Sequence, residues 1–232
     1  MTFRVETIGD ATLYLGDCRE VMASWPECFR VDAVVTDPPY GINHARNRNS
    51  QKDGWRDYPG AGWDQERPER PLFDSILARS ADQIIWGGNY FTDYLPPTMQ
   101  WLVWDKGQRD FSLADCEFAW SSQRKAARIF DYPRGRALLE GKEHPTQKPV
   151  ELMEWCLGFL PNARTILDPF MGSGTTGVAC VKSDRAFIGI EREPAYFDIA
   201  CRRIGEAYKQ PRLFAEPTPK PTQSTLSLEP SP

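Results

Sequence analysis

Features that define several large classes of protein are scarce in this chain. It has two histidines, and its six cysteines include no Cys-x-x-Cys pair, so the cysteines are expected to be reduced and no metal site is predicted. No run approaches the roughly 18 apolar residues of a membrane span. The N-terminus also lacks the basic and apolar regions of a secretory signal. The protein is therefore expected to be cytoplasmic and to have no membrane partner.

Positive charge is also scarce overall, but it is unevenly distributed. The formal net charge is −4, whereas residues 121–148 hold seven basic residues against three acidic ones. Such a segment is either a phosphate-contacting surface or a solvated loop. Residues 41–70 lack apolar periodicity and predict a long loop of their own.

The rest of the sequence predicts one α/β domain over residues 1–209, because 232 residues leave no room for a second full domain. Predicted strands cover residues 3–8, 11–15, 31–36, 83–86, 101–104, 116–120, 164–167 and 186–190. Predicted helices cover residues 18–25, 71–80, 149–160 and 194–208, with another that ends near residue 183. Residues 210–232 are rich in Pro, Ser and Thr and predict a disordered tail.

One short segment joins a predicted buried strand to a rigid corner. Asp37, Pro38, Pro39 and Tyr40 stand where open α/β sheets bind ligands, at the carboxyl end of a strand. Two prolines fix φ and remove two N–H donors, so the carbonyls of Asp37 and Pro38 are free to accept hydrogen bonds from a planar amine such as that of adenine. Tyr40 would stack on the base, a contact worth about 1 to 3 kcal/mol. The alternative interpretation is an ordinary turn, in which Asp and Pro are common.

A second motif, Gly172-Ser173-Gly174-Thr175-Thr176-Gly177, follows a predicted strand and precedes a helix. With Glu191 at the end of the next strand it fits a dinucleotide fingerprint, which indicates a nicotinamide- or flavin-dependent oxidoreductase. Asp168, at the end of the preceding strand, would repel a pyrophosphate but suits the ammonium group of S-adenosylmethionine. In that interpretation Glu191 holds the ribose hydroxyls and the glycines let the backbone approach the methionine part.

Together these motifs resemble those of the amino-DNA methyltransferases, which methylate adenine N6 or cytosine N4. Asp37-Pro38-Pro39-Tyr40 precedes Asp168-Pro169-Phe170-x-Gly172-x-Gly174, an order similar to the circularly permuted β-type arrangement of that family. His144-Pro145-Thr146-Gln147-Lys148-Pro149 is similar to the family's element for the methionine carboxylate. Gly16-Asp17 resembles its N-terminal motif, whose acid contacts the cofactor's adenine. The likeness covers about residues 11 to 205.

The resemblance implies a Rossmann-like α/β sheet, mostly parallel with one antiparallel strand, and helices on both faces. The implied cofactor is S-adenosyl-L-methionine, and the implied catalytic residues are Asp37, Pro38, Pro39 and Tyr40. The implied cofactor-binding residues are Asp17, Thr146, Lys148, Asp168, Phe170, Gly172, Ser173, Gly174, Thr175 and Glu191. Without the resemblance, Thr146, Lys148 and Asp17 would be taken as a helix cap, a surface lysine and a turn acid.

The implied activity is methylation of adenine N6 in DNA after the base is flipped out of the duplex. Asp before Pro-Pro-Tyr favours adenine in this family, as do the bulky stacking candidates Tyr40, Tyr90 and Phe91. N4-cytosine methylation, an oxidoreductase and an inactive DNA-binding protein are the alternatives. Residues 41–70 and 121–143 are the candidate DNA-contacting loops, and their small size predicts a short target. The recognition sequence, a restriction partner and a homodimer are left open by the sequence.

Overall fold

One mixed sheet organises the residues that the computed structural model describes, which are 2–42, 66–109, 114–133, 135–136 and 147–210. Within these ranges the sheet has nine strands: β1 (Arg4–Ile8), β2 (Ala11–Leu15), β3 (Ala33–Thr36), β4 (Asp82–Trp86), β5 (Gln100–Asp105), β6 (Cys116–Ser121), β7 (Arg128–Asp131), β8 (Thr165–Asp168) and β9 (Ala186–Glu191). The same ranges contain the α-helices α1 (Cys18–Ala23), α2 (Arg70–Ala78), α3 (Val150–Leu157), α4 (Thr175–Lys182) and α5 (Pro194–Lys209), and a short 3₁₀ helix at Gly88–Tyr90.

The strand order is β1-β2-β9-β8-β3-β4-β6-β5-β7. Strands β2, β9, β8, β3 and β4 are mutually parallel, and β6 runs antiparallel between β4 and β5. The predicted Rossmann-like class is therefore confirmed, but the sheet has two antiparallel strands and not one. The second is β1, which is joined to β2 by the tight turn at Gly9 and Asp10. A two-residue turn can connect only antiparallel neighbours.

Helices cover both faces of the sheet, as expected. Alternate residues of a strand point to opposite faces, so neighbouring residues of β3 belong to different cores. Val34 packs with residues of α1 and α2, including Val21, Met22 and Ile76. Val35 belongs to the larger core beneath α3, α4 and α5, which contains Leu152, Cys156, Ala179 and Ile204. The central strands are thus buried on both sides, which fixes the positions of their carboxyl ends.

Strand β7 was not predicted from the sequence. It pairs only with β5, at the edge of the sheet, and its side chains are mostly exposed. An edge strand of this kind needs neither a continuous apolar run nor strict alternation of apolar and polar residues. In the sequence its four residues are therefore not distinguished from the rest of the basic segment 121–148. The predicted tail beyond residue 210 and most of loop 41–70 lie outside the described residues.

Candidate active site

One cavity of about 540 Å³ brings the two motifs together at the carboxyl edge of the sheet. Such a volume lies within the usual range of about 300 to 1,000 Å³ for small-molecule sites. Its lining includes these residues predicted from the sequence: Asp17, Asp37, Pro39, Lys148, Asp168, Phe170, Gly172, Ser173, Thr175 and Glu191. Pro38, Tyr40 and Gly174 do not line it, and Thr146 lies outside the described residues. The cavity therefore joins the predicted amine-binding corner, residues 37–40, to the acids predicted to hold a cofactor.

Asp37 is held at the mouth of this cavity by two strong donors. Tyr40 Oη donates to Asp37 Oδ1 over 2.5 Å, and Lys148 Nζ lies 2.5 Å from Asp37 Oδ2. Burial raises the pKa of Asp37, against the opposing effect of Lys148. Behind Tyr40, Gly87 adopts φ +67°, and a Cβ there would lie 2.0 Å from the tyrosine ring, so only glycine fits.

The aromatic corner differs in part from its prediction. Tyr90 stacks on Tyr40 with ring centroids 4.7 Å apart and planes 15° from parallel. Phe91, in contrast, is fully buried and packs against Phe73 at 4.5 Å, so it is a core residue and does not offer a face to a base. From the sequence alone, an aromatic ring close to two glycines could either stack on a base or belong to the core. Packing against Phe73 of α2 places Phe91 in the core.

Lys148 is not the surface lysine that its residue type alone suggests. Its side chain is 5% exposed, and its Nζ lies 3.2 Å from Glu117 Oε2 as well as against Asp37. The ammonium group also sits 5.1 Å from the centre of the Trp86 ring. Glu117 in turn pairs with Lys106 at 2.6 Å. Neither Glu117 nor Lys106 belongs to a motif in the sequence, and the structure brings both to the amine-binding corner.

Asp168 is buried beneath the cavity with both oxygens hydrogen-bonded. Thr36 Oγ1 donates to Oδ1 and Thr176 Oγ1 donates to Oδ2, each over 2.7 Å, and the Phe170 N–H donates to Oδ1 over 3.1 Å. Burial nevertheless raises the pKa of Asp168 to about 6. Since Thr36 immediately precedes Asp37, this network ties the predicted cofactor motif to the predicted catalytic motif.

Two further acids line the same cavity. Glu191 accepts hydrogen bonds from the N–H groups of Gly172 at 3.0 Å and Glu193 at 2.8 Å, and burial raises its pKa to about 7. Asp17 caps α1 by accepting the Arg19 N–H over 2.8 Å, and it also pairs with the Arg19 guanidinium at 2.7 Å. The Arg19 contacts lower the pKa of Asp17. Asp17 is therefore a helix cap whose carboxylate also reaches the cavity.

Packing against α5 requires a glycine in the glycine-rich turn. Gly174 has φ +79°, and a Cβ there would lie 2.9 Å from Ala200 Cβ on α5. The close approach of a cofactor to Gly174 stays a prediction beside this packing role. Ser173 Oγ donates to Gln147 Oε1 over 3.1 Å, and Arg203 donates to the Ser173 carbonyl over 2.6 Å. These contacts fix the turn against α5 and the segment that leads to Lys148.

Residues 122–127 of the basic segment lie away from the site. Cys116 pairs with Asp105 at the carboxyl edge, whereas Ser121 pairs with Ile84, so antiparallel β6 carries residues 122–127 to the opposite edge. A six-residue strand spans roughly 17 Å. Lys125 Nζ accordingly lies 3.3 Å from the Phe159 carbonyl, beyond the far end of α3. This part of the segment is poorly placed to contact the DNA next to a base bound at Asp37.

Neither a membrane span nor a metal site is apparent in the part of the chain that the structure describes. No helix there is long and apolar enough to cross a bilayer. Within the same ranges, no group of three His, Cys, Asp or Glu side chains is placed to hold a metal ion.

Comparisons with known proteins find DNA methyltransferases among the relatives of this chain. A family model described as "DNA methylase" matches residues 97–202. DNA adenine methyltransferase YhdJ of Escherichia coli (strain K12) is 40% identical over 90 residues, covering 38% of this chain and 31% of that protein. Type II methyltransferase M2.MboI of Moraxella bovis is 32% identical over 151 residues, covering 62% and 48% respectively. The chain thus spans less than half the length of these curated relatives.

Solved structures share the fold. The M1.HpyAVI–SAM complex matches with a TM-score of 0.56 and 28% identity, covering 83% of this chain and 99% of that one. TTHA0409 from Thermus thermophilus matches with a TM-score of 0.51 and 19% identity over 84% of this chain and 95% of its own, a likeness of fold alone. The architecture is that of a Rossmann-like methyltransferase. The matching family model and the sequence relatives make this chain similar to amino-DNA methyltransferases.

Proposed function

We propose that this protein transfers a methyl group from S-adenosyl-L-methionine to the N6 amine of adenine in DNA, at a specific site and after base flipping. One observation carries the proposal. Asp37, which offers an acceptor for the amine, lines the same cavity as Asp168 and Glu191, which offer acceptors for a cationic cofactor. A methyl donor and a planar amine held at the two ends of one cavity are positioned for transfer.

The lining fits the chemical groups of this cofactor. S-adenosylmethionine carries an ammonium, a sulfonium and two ribose hydroxyls, all of which are favoured by carboxylates. Asp168 would hold the ammonium, Glu191 the ribose hydroxyls and Asp17 the adenine, with Lys148 or Thr146 toward the methionine carboxylate. The bound cofactor supplies an electrophilic methyl group. The structural relative M1.HpyAVI, whose crystal structure is a complex with SAM, supports this choice of cofactor.

Asp37 and Pro38 act on the target amine. The nitrogen lone pair is delocalised into the ring, and hydrogen bonds from the amine to Asp37 and to the Pro38 carbonyl favour a tetrahedral nitrogen whose lone pair is free. As the N–C bond forms, the methyl–sulfur bond of the cofactor would break and its sulfur would leave as a neutral thioether. The nitrogen, now positively charged, would then lose one proton. Asp37 is placed to accept that proton, and burial of its carboxylate raises its pKa in the direction that suits a base.

The target base must leave the duplex to reach this corner, at a cost of a few kcal/mol. Stacking on Tyr40 would offset part of that cost. Adenine is favoured over cytosine by the family preference for Asp before Pro-Pro-Tyr and by the name of the relative YhdJ, a DNA adenine methyltransferase. A DNA substrate also implies action in the cytoplasm.

Contact with the duplex is assigned to the carboxyl edge of the sheet. Arg70 stands at the start of α2, next to the cavity-lining Glu69, with its side chain 59% exposed. Arg136 follows β7, 3.8 Å from Glu151 in the first turn of α3, and its side chain is 64% exposed. Both cations can therefore contact phosphates that flank a base bound at Asp37. Arg124 and Lys125 cannot, because they lie at the opposite edge of the sheet.

An oxidoreductase is the alternative from another class. A dinucleotide would place its pyrophosphate beside the glycine-rich turn, where Asp168 is a buried acid. Like charges in such surroundings repel strongly. This arrangement disfavours a dinucleotide and favours a cationic ligand.

The test is transfer of a radiolabelled methyl group from the cofactor to unmethylated DNA. We expect incorporation with the wild-type protein and at least a hundredfold loss, about 2.7 kcal/mol of barrier, with Asp37→Asn, which keeps the shape of the side chain. Asp198→Asn, an exposed change on α5, should retain full activity. Binding of NAD or a flavin without S-adenosylmethionine binding would favour the oxidoreductase.

A further inference from the structure

Four charged side chains form a continuous row behind the amine-binding corner. Lys148 Nζ lies 2.5 Å from Asp37 Oδ2 and 3.2 Å from Glu117 Oε2. Lys106 Nζ lies 2.6 Å from the other oxygen of Glu117. The side chains of Lys148 and Lys106 are only 5% and 13% exposed, so water screens these contacts weakly.

Strand pairing is what brings Glu117 to this place. Strand β6 runs antiparallel to its neighbours, so its beginning lies at the carboxyl edge of the sheet. The register pairs Trp86, at the end of β4, with Ala119. Glu117 precedes Ala119 by two residues and therefore lies beyond the end of β4, beside the amine-binding corner. Glu117 and Ala119 share a face with Trp86, over which the Lys148 ammonium lies.

One ammonium group is therefore shared between two carboxylates. Without Glu117, the full charge of Lys148 would act on Asp37 and would hold that carboxylate as an ion pair. A carboxylate bound in this way accepts a proton less readily. With Glu117 present, Lys148 still orients Asp37, while a second anion offsets its charge.

We propose that Glu117 is a positioning residue for methyl transfer, which holds and offsets Lys148 so that Asp37 stays oriented and able to accept the proton of the target amine. This inference rests on the proposed function. The pKa directions agree with it, because Lys148 and Lys106 outweigh burial and lower the pKa of Glu117 to about 2, whereas burial raises that of Asp37. The Glu117 carboxylate therefore stays ionised near neutral pH.

The other groups that face Asp37 do not offer the same control. Tyr40 donates a neutral hydrogen bond to it, and its pKa is raised well above the usual value, so it does not titrate in the working range. Asp168 is a second anion near Asp37, but its oxygens are engaged by Thr36 and Thr176 and not by Lys148. Changes at Glu117 and Lys106 therefore act on Asp37 chiefly through Lys148.

The test compares two charge-removing variants of opposite sign. Glu117→Gln should shift the acid limb of the kcat–pH profile to lower pH by about one unit, because the loss of an anion near Asp37 lowers the pKa of Asp37. Lys106→Met should shift that limb to higher pH, because the loss of a cation raises the same pKa. Glu117→Gln should also lower kcat about tenfold. Glu154→Gln, which breaks the pair of Glu154 on α3 with Lys182 on α4 at 2.7 Å, removes the same charge away from the site and should change neither quantity.

A second measurement separates this inference from the proposed function. The carboxyl carbon of Asp37 can be followed by NMR in protein labelled at aspartate, with the signal assigned by its absence in Asp37→Asn. Its titration should move in the same opposite directions in the two variants, whether or not DNA is methylated. An unshifted titration and an unchanged kcat in Glu117→Gln would overturn the inference. If that variant does not fold, an unshifted titration in Lys106→Met would do so. Shifted titrations in a protein that does not methylate DNA would overturn the proposed function alone.

Discussion

Tyr90 lies stacked on Tyr40, the ring that we propose as the platform for the target base, with 4.7 Å between the ring centroids. A base between the two rings would need about 9 Å between their centroids, twice the shortest centroid separation of about 4.5 Å in an aromatic pair. Tyr90 is 40% exposed and can therefore move into solvent, whereas Tyr40 is fixed by Asp37 and by the backbone of Gly87. Entry of the base thus requires that Tyr90 leave its place.

The first prediction follows from this competition. An aromatic pair is worth about 0.5 to 1.5 kcal/mol beyond its area, so Tyr90→Ala should tighten binding of DNA with an adenine target by about 2- to 10-fold. Tyr90→Phe keeps the stack and should bind like the wild type. DNA with an abasic target site has no base to insert, and its affinity should be unchanged by either variant. A weaker complex of Tyr90→Ala with adenine-containing DNA would show that Tyr90 supports the base and does not compete with it.

The second prediction concerns the pH dependence of cofactor binding. Burial raises the pKa of Asp168 to about 6 and that of Glu191 to about 7, so in the free protein both are partly protonated near pH 6.5. A cationic cofactor favours the ionised forms and lowers these pKa values. Affinity should therefore rise from pH 5 to pH 8, and binding near pH 6.5 should release protons.

Calorimetric titration in two buffers of different ionisation enthalpy measures this release directly. Glu191→Gln should remove the part of the proton release that comes from Glu191, the group with the higher pKa. Asp17, whose pKa is lowered, stays ionised in this range and contributes nothing. Binding without proton release at pH 6.5 would contradict the assignment of Asp168 and Glu191 to the cofactor.

The third prediction concerns Gly174. Replacement by Ala places a Cβ 2.9 Å from Ala200 Cβ and forces a non-glycine residue to φ +79°. Strain of this kind costs about 1 to 3 kcal/mol in the free energy of unfolding. The variant should therefore melt at a lower temperature, and its cofactor affinity should fall because the turn shifts. Gly135→Ala is a matched control, since a Cβ at that position meets nothing within 4 Å. Full stability of Gly174→Ala would contradict the packing role.

The fourth prediction distinguishes the two edges of the sheet. Arg70→Ala combined with Arg136→Ala should weaken DNA binding and reduce the slope of log K against log salt by about 1.8, since each phosphate contact accounts for about 0.9. Arg124→Ala combined with Lys125→Ala removes the same charge from the opposite edge and should leave that slope unchanged. Equal slopes in the two double variants would mean that charge at the carboxyl edge has no special contact with DNA.

The sequence predicts those parts of the fold and site that follow from strand ends. Asp37, Asp168 and Glu191 each stand at the end of an apolar run, and the carboxyl ends of parallel strands meet at one edge. Their convergence on one cavity was therefore expected from the chain alone. The buried runs of the central strands were likewise clear from composition.

Other parts depend on pairing that the sequence does not reveal. Glu117 was missed because it stands at the start of a strand, and only the antiparallel direction of β6 brings that start to the site. The same reversal carries Lys125 away from the site, although its charge made it a candidate for DNA contact. Gly174 fits a ligand-binding pattern, but its missing side chain makes room for α5. In each case direction and packing, and not residue type, decide the role.

The most direct test of the account is the identity of the methylated base. Plasmid DNA from cells that lack other DNA methyltransferases and express this chain would be digested to nucleosides and separated by mass spectrometry. We predict N6-methyldeoxyadenosine in DNA from cells with the wild-type protein, and none from cells with Asp37→Asn. N4-methyldeoxycytidine as the main product would contradict the choice of adenine, and the absence of any methylated nucleoside from folded wild-type protein would contradict methyl transfer to DNA itself.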